Sequence, residues 1–138
     1  TPRPAMAALM SDRLLDTTVL IDLARGDAVA ADWVDAARQR GERLCISVIS
    51  AMEMIAGCRN QSEAQQMGKL LADFAFLHLT PEVSARAYDL MIAYNKSHGL
   101  AIPDALIAAT ALTEGLSLVS DNERHFRMIP ELNVQRAH

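Results

Sequence analysis

The sequence predicts an α/β domain with a mostly parallel central sheet of four to five strands flanked by helices on both faces. Two observations carry that expectation. Short apolar runs alternate with helical stretches along the whole chain, the pattern of parallel strands joined by crossover helices. The apolar content of 51% is built on Ala, Leu, Ile and Met with only 4% aromatics, an aliphatic core suited to helices packed closely on a sheet. A length of 138 residues fits one domain with a sizeable core.

The elements follow in order. Arg13-Leu14-Leu15-Asp16 reads as a first strand ending at a carboxylate. Thr17 to Ala24 turns helical, with Val19, Leu20 and Leu23 at helical spacing, and Gly26 stops it. Asp27 is placed to cap a second helix to about Arg40, with Val29, Trp33, Val34 and Ala37 on its inner face. Leu44-Cys45-Ile46 is a short buried strand, and Ser47 caps a helix to about Gly57. Ser62 to Phe74 is a further helix, Phe76 to Leu79 a strand, and Glu82 to Ser97 a long helix with Val83, Ala87, Leu90 and Tyr94 as its stripe. Pro103 opens a helix from Asp104 to Glu114 that Gly115 ends. Leu116 to Val119 is a strand running into Ser120-Asp121-Asn122, and Asn133 to Gln135 adds an edge strand. Residues 1–12 carry Pro2, Pro4 and Arg3 and read as an N-terminal extension or cloning remnant, leaving 13–138 as the domain.

Several classes are disfavoured. No segment approaches the roughly 20 apolar residues that span a bilayer, so the expectation is a cytoplasmic protein. Cys45 and Cys58 form no CxxC pair, and His78, His98, His125 and His138 have no ligand spacing, so no zinc site is legible. Both thiols are expected to be buried. A net charge of −4 runs against nucleic-acid binding, unless several acids share one metal site whose cations reverse the local sign.

Four acids invite that exception. Asp16 ends the first strand, Glu53 lies on the helix after the second, Asp104 opens the helix before the fourth, and Asp121 follows the fourth. Strand ends of a parallel sheet converge, and ligands bind there. Two carboxylates about 4 Å apart repel by roughly 4 kcal/mol at an effective dielectric near 20, so such a cluster persists only with shared protons or bound cations. All-oxygen ligation favours Mg²⁺ or Mn²⁺ over zinc. Each acid also has a plain structural reading. Asp16 is a good N-cap, Glu53 completes a capping box with Ser50, Asp104 suits the helix dipole, and Asp121-Asn122 is an ordinary turn pair. Ala108 and Ala111, with Ile107 beside them, let the last helix approach the sheet and carry Asp104 inward.

The same stretches resemble a known family. Leu14-Leu15-Asp16-Thr17-Thr18-Val19-Leu20-Ile21-Asp22 looks like the opening of PIN domains, especially the VapC toxins of bacterial toxin–antitoxin pairs. Residues 47–57 (Ser47 to Gly57), 103–111 (Pro103 to Ala111) and 118–126 (Leu118 to Phe126) are similar to the family's second, third and fourth motifs, in family order. The resemblance implies a PIN-like fold, Mg²⁺- or Mn²⁺-dependent endoribonuclease activity, an RNA substrate, a VapB-like antitoxin partner and a homodimer. It makes Asp16, Glu53 and Asp104 metal ligands that activate a nucleophile through water. At the fourth position Asn122 stands where many relatives have an acid or Asn, with Asp121 one earlier, so either residue fits. Ser120 matches the family's Ser/Thr, and Thr17 is a second hydroxyl that can orient a ligand or water. Arg25, Arg124 and Arg127 lie near the motif ends as phosphate contacts or as plain solvated surface.

Two other readings compete. A haloacid dehalogenase-type phosphohydrolase also begins with a strand-end Asp but needs another two positions later, where Thr18 stands. A catalytically inactive PIN module binding RNA or a protein partner is disfavoured by the three intact acids.

Overall fold

A computed structural model describes residues 12–137, so the expected N-terminal extension lies almost wholly outside the described residues. Five strands, β1 (Arg13–Leu15), β2 (Leu44–Ser47), β3 (Ala75–Leu77), β4 (Ser117–Val119) and β5 (Val134–Gln135), form one parallel sheet in the order β3-β2-β1-β4-β5. The helices are α1 (Thr17–Ala24), α2 (Ala28–Gln39), α3 (Val48–Ala56), α4 (Gln61–Leu71), α5 (Pro81–His98) and α6 (Ile102–Glu114).

Strand periodicity divides the core. Leu14, Cys45 and Leu118 are register partners across the three central strands and belong to one apolar cluster, with Ile107, Ala108 and Ala111 of α6. The next row, Leu15, Ile46 and Val119, joins the opposite cluster, with Val19 and Leu20 of α1, Val34 of α2, Met54 of α3 and Leu71 of α4. Successive side chains of a strand leave opposite faces, so the parallel centre is buried on both sides. A third cluster joins Val83 and Ala87 of α5 to Ala105 and Ala109 of α6. Helix α6 therefore lies between the sheet and α5, and five of its small or aliphatic residues are buried to within 1%. Its Ala content is what permits contact on both sides.

Several boundaries trace to local chemistry. Asp27 caps α2 by accepting from the Val29 and Ala30 N–H groups, at 2.8 and 3.1 Å. Thr80 caps α5 through the Val83 N–H at 3.1 Å. Gly115 ends α6 with φ +68°, a left-handed conformation that favours glycine, as does Gly26 after α1 with φ +79°.

Ser47 caps α3 as expected, accepting from the Ile49 N–H at 3.1 Å, so the alternative capping box of Ser50 and Glu53 does not form. Two further expectations are corrected. Val29 does not join the inner face of α2; it is 51% exposed, and Ala30 takes the buried position with Val34 and Ala37. The Asp27 cap fixes the phase of the helix, and at about 100° per residue one step carries Val29 off the core. The expected helix over Ser62–Phe74 is shorter, because the chain turns after Leu71 to bring Phe74 into the core. Cys45 is fully buried, whereas Cys58 is only half-buried; both are free.

Candidate active site

The candidate site begins where β1 and β4 stop. Their last partners, Leu15 and Val119, are followed by Asp16 and Ser120, which lie side by side at the carboxyl end of the sheet. The Asp16 N–H donates to the Val119 carbonyl and the Ser120 N–H to the Gln135 carbonyl, both at 2.8 Å. The Ser120 hydroxyl then donates to Asp16 Oδ2 at 2.7 Å, and the Thr18 hydroxyl to the same oxygen at 3.0 Å. Asp16 is 3% exposed and Ser120 fully buried.

The following loop orients both hydroxyls. The Asn122 N–H donates to Ser120 Oγ at 3.0 Å and the Asp121 N–H to Thr18 Oγ1 at 3.1 Å. Each hydroxyl has one proton; with its lone pair engaged by a backbone N–H, that proton goes to Asp16. Asp16 stands at the N-cap position of α1 but makes no side-chain cap bond, so the plain capping reading does not describe it. Among the described residues no protein donor reaches its other oxygen, Oδ1.

Glu53 approaches from α3. Thr17 Oγ1 lies 2.9 Å from both Glu53 Oε1 and Ser50 Oγ. A single hydroxyl proton cannot serve both; the carboxylate is the stronger acceptor, so Ser50 donates to Thr17 and Thr17 to Glu53. Ser50 is fully buried, which anchors the relay.

Asp104 enters from the first turn of α6, beside Pro103. Burial first, and then the negative charge of Asp16, push its carboxyl up to about 6; Glu53 adds to the rise and His125 opposes it. His125 Nδ1 lies 3.6 Å from Asp104 Oδ2. The fold thus brings Asp16, Glu53 and Asp104 within electrostatic reach of one another at one end of the sheet. The Asp121 backbone supports Thr18, as that of Asn122 supports Ser120. Arg25, Arg124 and Arg127 are exposed.

Sequence reasoning missed three participants. All three lie in the motif stretches but were given no role in the site: Thr18 was weighed against a phosphohydrolase, Ser50 as a cap, and His125 for zinc spacing. Ser50 and His125 act through contacts distant in sequence; Thr18 reaches Asp16 locally but takes the Asp121 N–H from across the sheet.

The donor set bears on a metal ion. Asp16, Glu53 and Asp104 present carboxylate oxygens, which suit a hard divalent cation. The raised proton affinity of Asp104 marks a pocket whose negative charge is under-compensated, which a cation corrects as a proton does. Among the described residues no three acidic, imidazole or thiol side chains are gathered tightly enough to close round one ion. In charge and donor type the residues fit a divalent cation.

Comparison with known proteins agrees with this geometry. Residues 13–132 match the PIN domain. Over 120 residues the chain is 41% identical to Ribonuclease VapC10 of Mycobacterium tuberculosis, covering 86% of this chain and 89% of that protein. Ribonuclease VapC19 of the same organism is 32% identical over 121 residues, 87% of this chain and 96% of the relative. A chain in a toxin–antitoxin complex from Klebsiella pneumoniae superposes with a TM-score of 0.75 at 29% identity, over 91% of this chain and 98% of that one. Matches of that extent decide the lineage of this five-stranded parallel fold: the chain belongs to the PIN-domain family, among its VapC members.

Proposed function

We propose that this protein is a Mg²⁺- or Mn²⁺-dependent endoribonuclease, the toxin of a VapBC-type pair, acting in the cytoplasm and held inactive by a VapB-like antitoxin. The observation that carries the reading is the convergence of Asp16, Glu53 and Asp104 at the carboxyl end of the sheet, where hydroxyl groups hold Asp16 and Glu53 and where burial, then Asp16 and Glu53, raise the proton affinity of Asp104. Both Mycobacterium tuberculosis relatives are named ribonucleases, and the Klebsiella pneumoniae neighbour comes from a toxin–antitoxin complex.

In this reading Asp16, Glu53 and Asp104 hold the cation, with Asp121 or Asn122 as a fourth contributor. A divalent cation held there would supply charge neutralisation for the phosphodiester and a more acidic water as the source of the nucleophile. The chain's own groups do the positioning. Ser120 and Thr18 hold Asp16 by Oδ2 and turn Oδ1 to the pocket; Thr17, backed by Ser50, holds Glu53. Asp104 completes the set from the first turn of α6, its carboxyl holding a proton more tightly than usual while no cation is present. His125 beside it limits how far that affinity rises.

A partner protein has a surface to cover. An apolar groove of about 470 Å³ runs between α3, α4 and β3, lined by Ala51, Leu71, Met52, Ile55 and Phe76, the last three 59%, 39% and 38% exposed. Contiguous exposed apolar surface of this kind marks interaction sites. Incubating the purified chain with structured RNA tests the reading: cleavage with Mg²⁺ or Mn²⁺, its loss in EDTA, and its suppression by the co-expressed antitoxin are expected. Equal cleavage with and without metal would contradict it.

A further inference from the structure

The acidic pocket does not end at Glu53. A second concavity of about 480 Å³ opens from it between α1, α3 and α4 and shares Thr17 and Glu53 with the candidate site. Its volume falls within the roughly 300–1,000 Å³ of small-ligand sites. Ile21, Met54 and Met67 supply its apolar lining, and Cys58 and Gly57 line it as α3 ends. At the C-terminal cap of α1, Arg25 adds an exposed cation. The one acid on the far side, Glu63, is already committed: Arg59 donates to its two oxygens at 3.0 and 2.7 Å, and this pairing holds its carboxyl below the ordinary range.

The arrangement is a polarity gradient over one cleft: acids at one end, thioether and aliphatic surface in the middle, and a guanidinium at the rim. An RNA strand has matching parts in matching order. Its phosphate goes to the acids with their cation, the neighbouring base is flat and largely apolar on its faces, and the next phosphate is anionic. Thioether sulfur makes favourable contacts with aromatic rings, and Arg pairs with phosphate. Resting on the endoribonuclease reading, we propose that this concavity is a nucleobase subsite. It takes the base adjoining the scissile phosphate onto Met54, Met67 and Ile21, with Arg25 on the next phosphate along. The base contact both positions the phosphate over Asp16, Glu53 and Asp104 and contributes to affinity.

The test begins by mapping, on total bacterial RNA with Mn²⁺, the sites that the full-length chain cuts. Oligoribonucleotides spanning one mapped site are then made intact and with the base removed on either side of the cut. For the parent, an abasic nucleotide on one side is expected to lower kcat/KM by about tenfold, the scale of one stacked base. Gly57→Leu fills the concavity without backbone strain, since a Cβ there meets nothing closer than 3.6 Å. It should lower cleavage of the intact strand and erase the difference from the abasic one, and Met67→Ala should reduce that difference. Arg25→Ala should raise KM with little change in kcat.

Cys58 gives a readout independent of turnover. It lines the concavity, whereas Cys45 is fully buried and burial pushes its thiol up. In the Asp104→Asn protein the intact oligonucleotide should slow alkylation of Cys58, and the abasic one should not. A parent that cuts RNA but is indifferent to base removal on both sides overturns the subsite and leaves the nuclease reading standing. So do unchanged kinetics in Gly57→Leu. Variants that cleave normally but escape the antitoxin also overturn it, because the occupant is then protein. A parent that cuts no RNA with any metal overturns the nuclease reading itself.

Discussion

Ser120 and Asp16 lie 104 positions apart in the chain and are joined by a fully buried 2.7 Å hydrogen bond at the meeting of β1 and β4. The bond exists because parallel pairing sets Leu15 against Val119, so the next residue of each strand emerges at the same edge. A buried hydrogen bond to a charged group contributes about 1.5–3 kcal/mol. Ser120→Ala is accordingly expected to lower stability by about that amount, read from the urea midpoint. It should also slow RNA cleavage, because Asp16 loses one of the two donors that orient it. A variant with parental cleavage would show that Asp16 needs no such orientation.

Asp16→Asn and Asp104→Asn each remove one negative charge with little change in shape. Both are expected to abolish metal-dependent cleavage and relieve growth arrest on expression while leaving circular dichroism unchanged. Parental cleavage in both would remove the acidic pocket from the mechanism.

Asp104 also makes a prediction for the metal-free protein. Its carboxyl is raised from 3.8 to about 6 on folding, so the folded state holds this proton more tightly than the unfolded chain. The resulting stability is fully present below pH 4 and is lost as pH rises through 6. Discounted for partial solvent screening, the cost at neutral pH is on the order of 1–2 kcal/mol. Asp104→Asn should therefore be more stable than the parent at pH 7.5 in EDTA, with the difference shrinking towards pH 4. Adding Mn²⁺ should reverse the order, since binding to the folded state stabilises the parent selectively. Thermal melts at three pH values check both signs.

His125 lies 3.6 Å from Asp104 and opposes the rise in its proton affinity. Replacing it with Ala should move the acid limb of the cleavage pH profile upward, with the plateau rate less affected. An unmoved limb would detach His125 from the site.

The fourth position is decided by substituting two neighbours. The Asp121 backbone N–H supports Thr18, and the Asn122 N–H supports Ser120. Asp121→Ala is expected to cost less activity than Asp104→Asn, and the larger loss between Asp121→Ala and Asn122→Ala names the fourth contributor. Negligible losses at both would exclude that loop.

Much of this was legible in the residues. Helix α1 occupies the expected Thr17–Ala24, Asp27 caps α2, and Gly26 and Gly115 stop helices as their left-handed conformations require. These are local signals, set by hydrogen bonds and backbone freedom within a few residues. The convergence of Asp16, Glu53 and Asp104 followed from parallel topology, since successive strands present their carboxyl ends to one edge. What local pattern did not carry was contact across the sheet. Nothing near Thr18 says that its hydroxyl takes the Asp121 N–H, and nothing near His125 says that Asp104 lies beside it. Ser50 and Glu53 sit three apart as a capping box does, but Ser47 had already taken the cap, leaving Ser50 to Thr17. Val29 was misplaced because a helix stripe read without its cap has an uncertain phase.

The most direct measurement is a crystal structure of the protein with Mn²⁺ bound. The account predicts an ion at the carboxyl end of β1 with oxygens of Asp16, Glu53 and Asp104 drawn in as ligands, within about 2.0–2.2 Å or through one water. An ion held elsewhere, with these three carboxylates still apart, would contradict it.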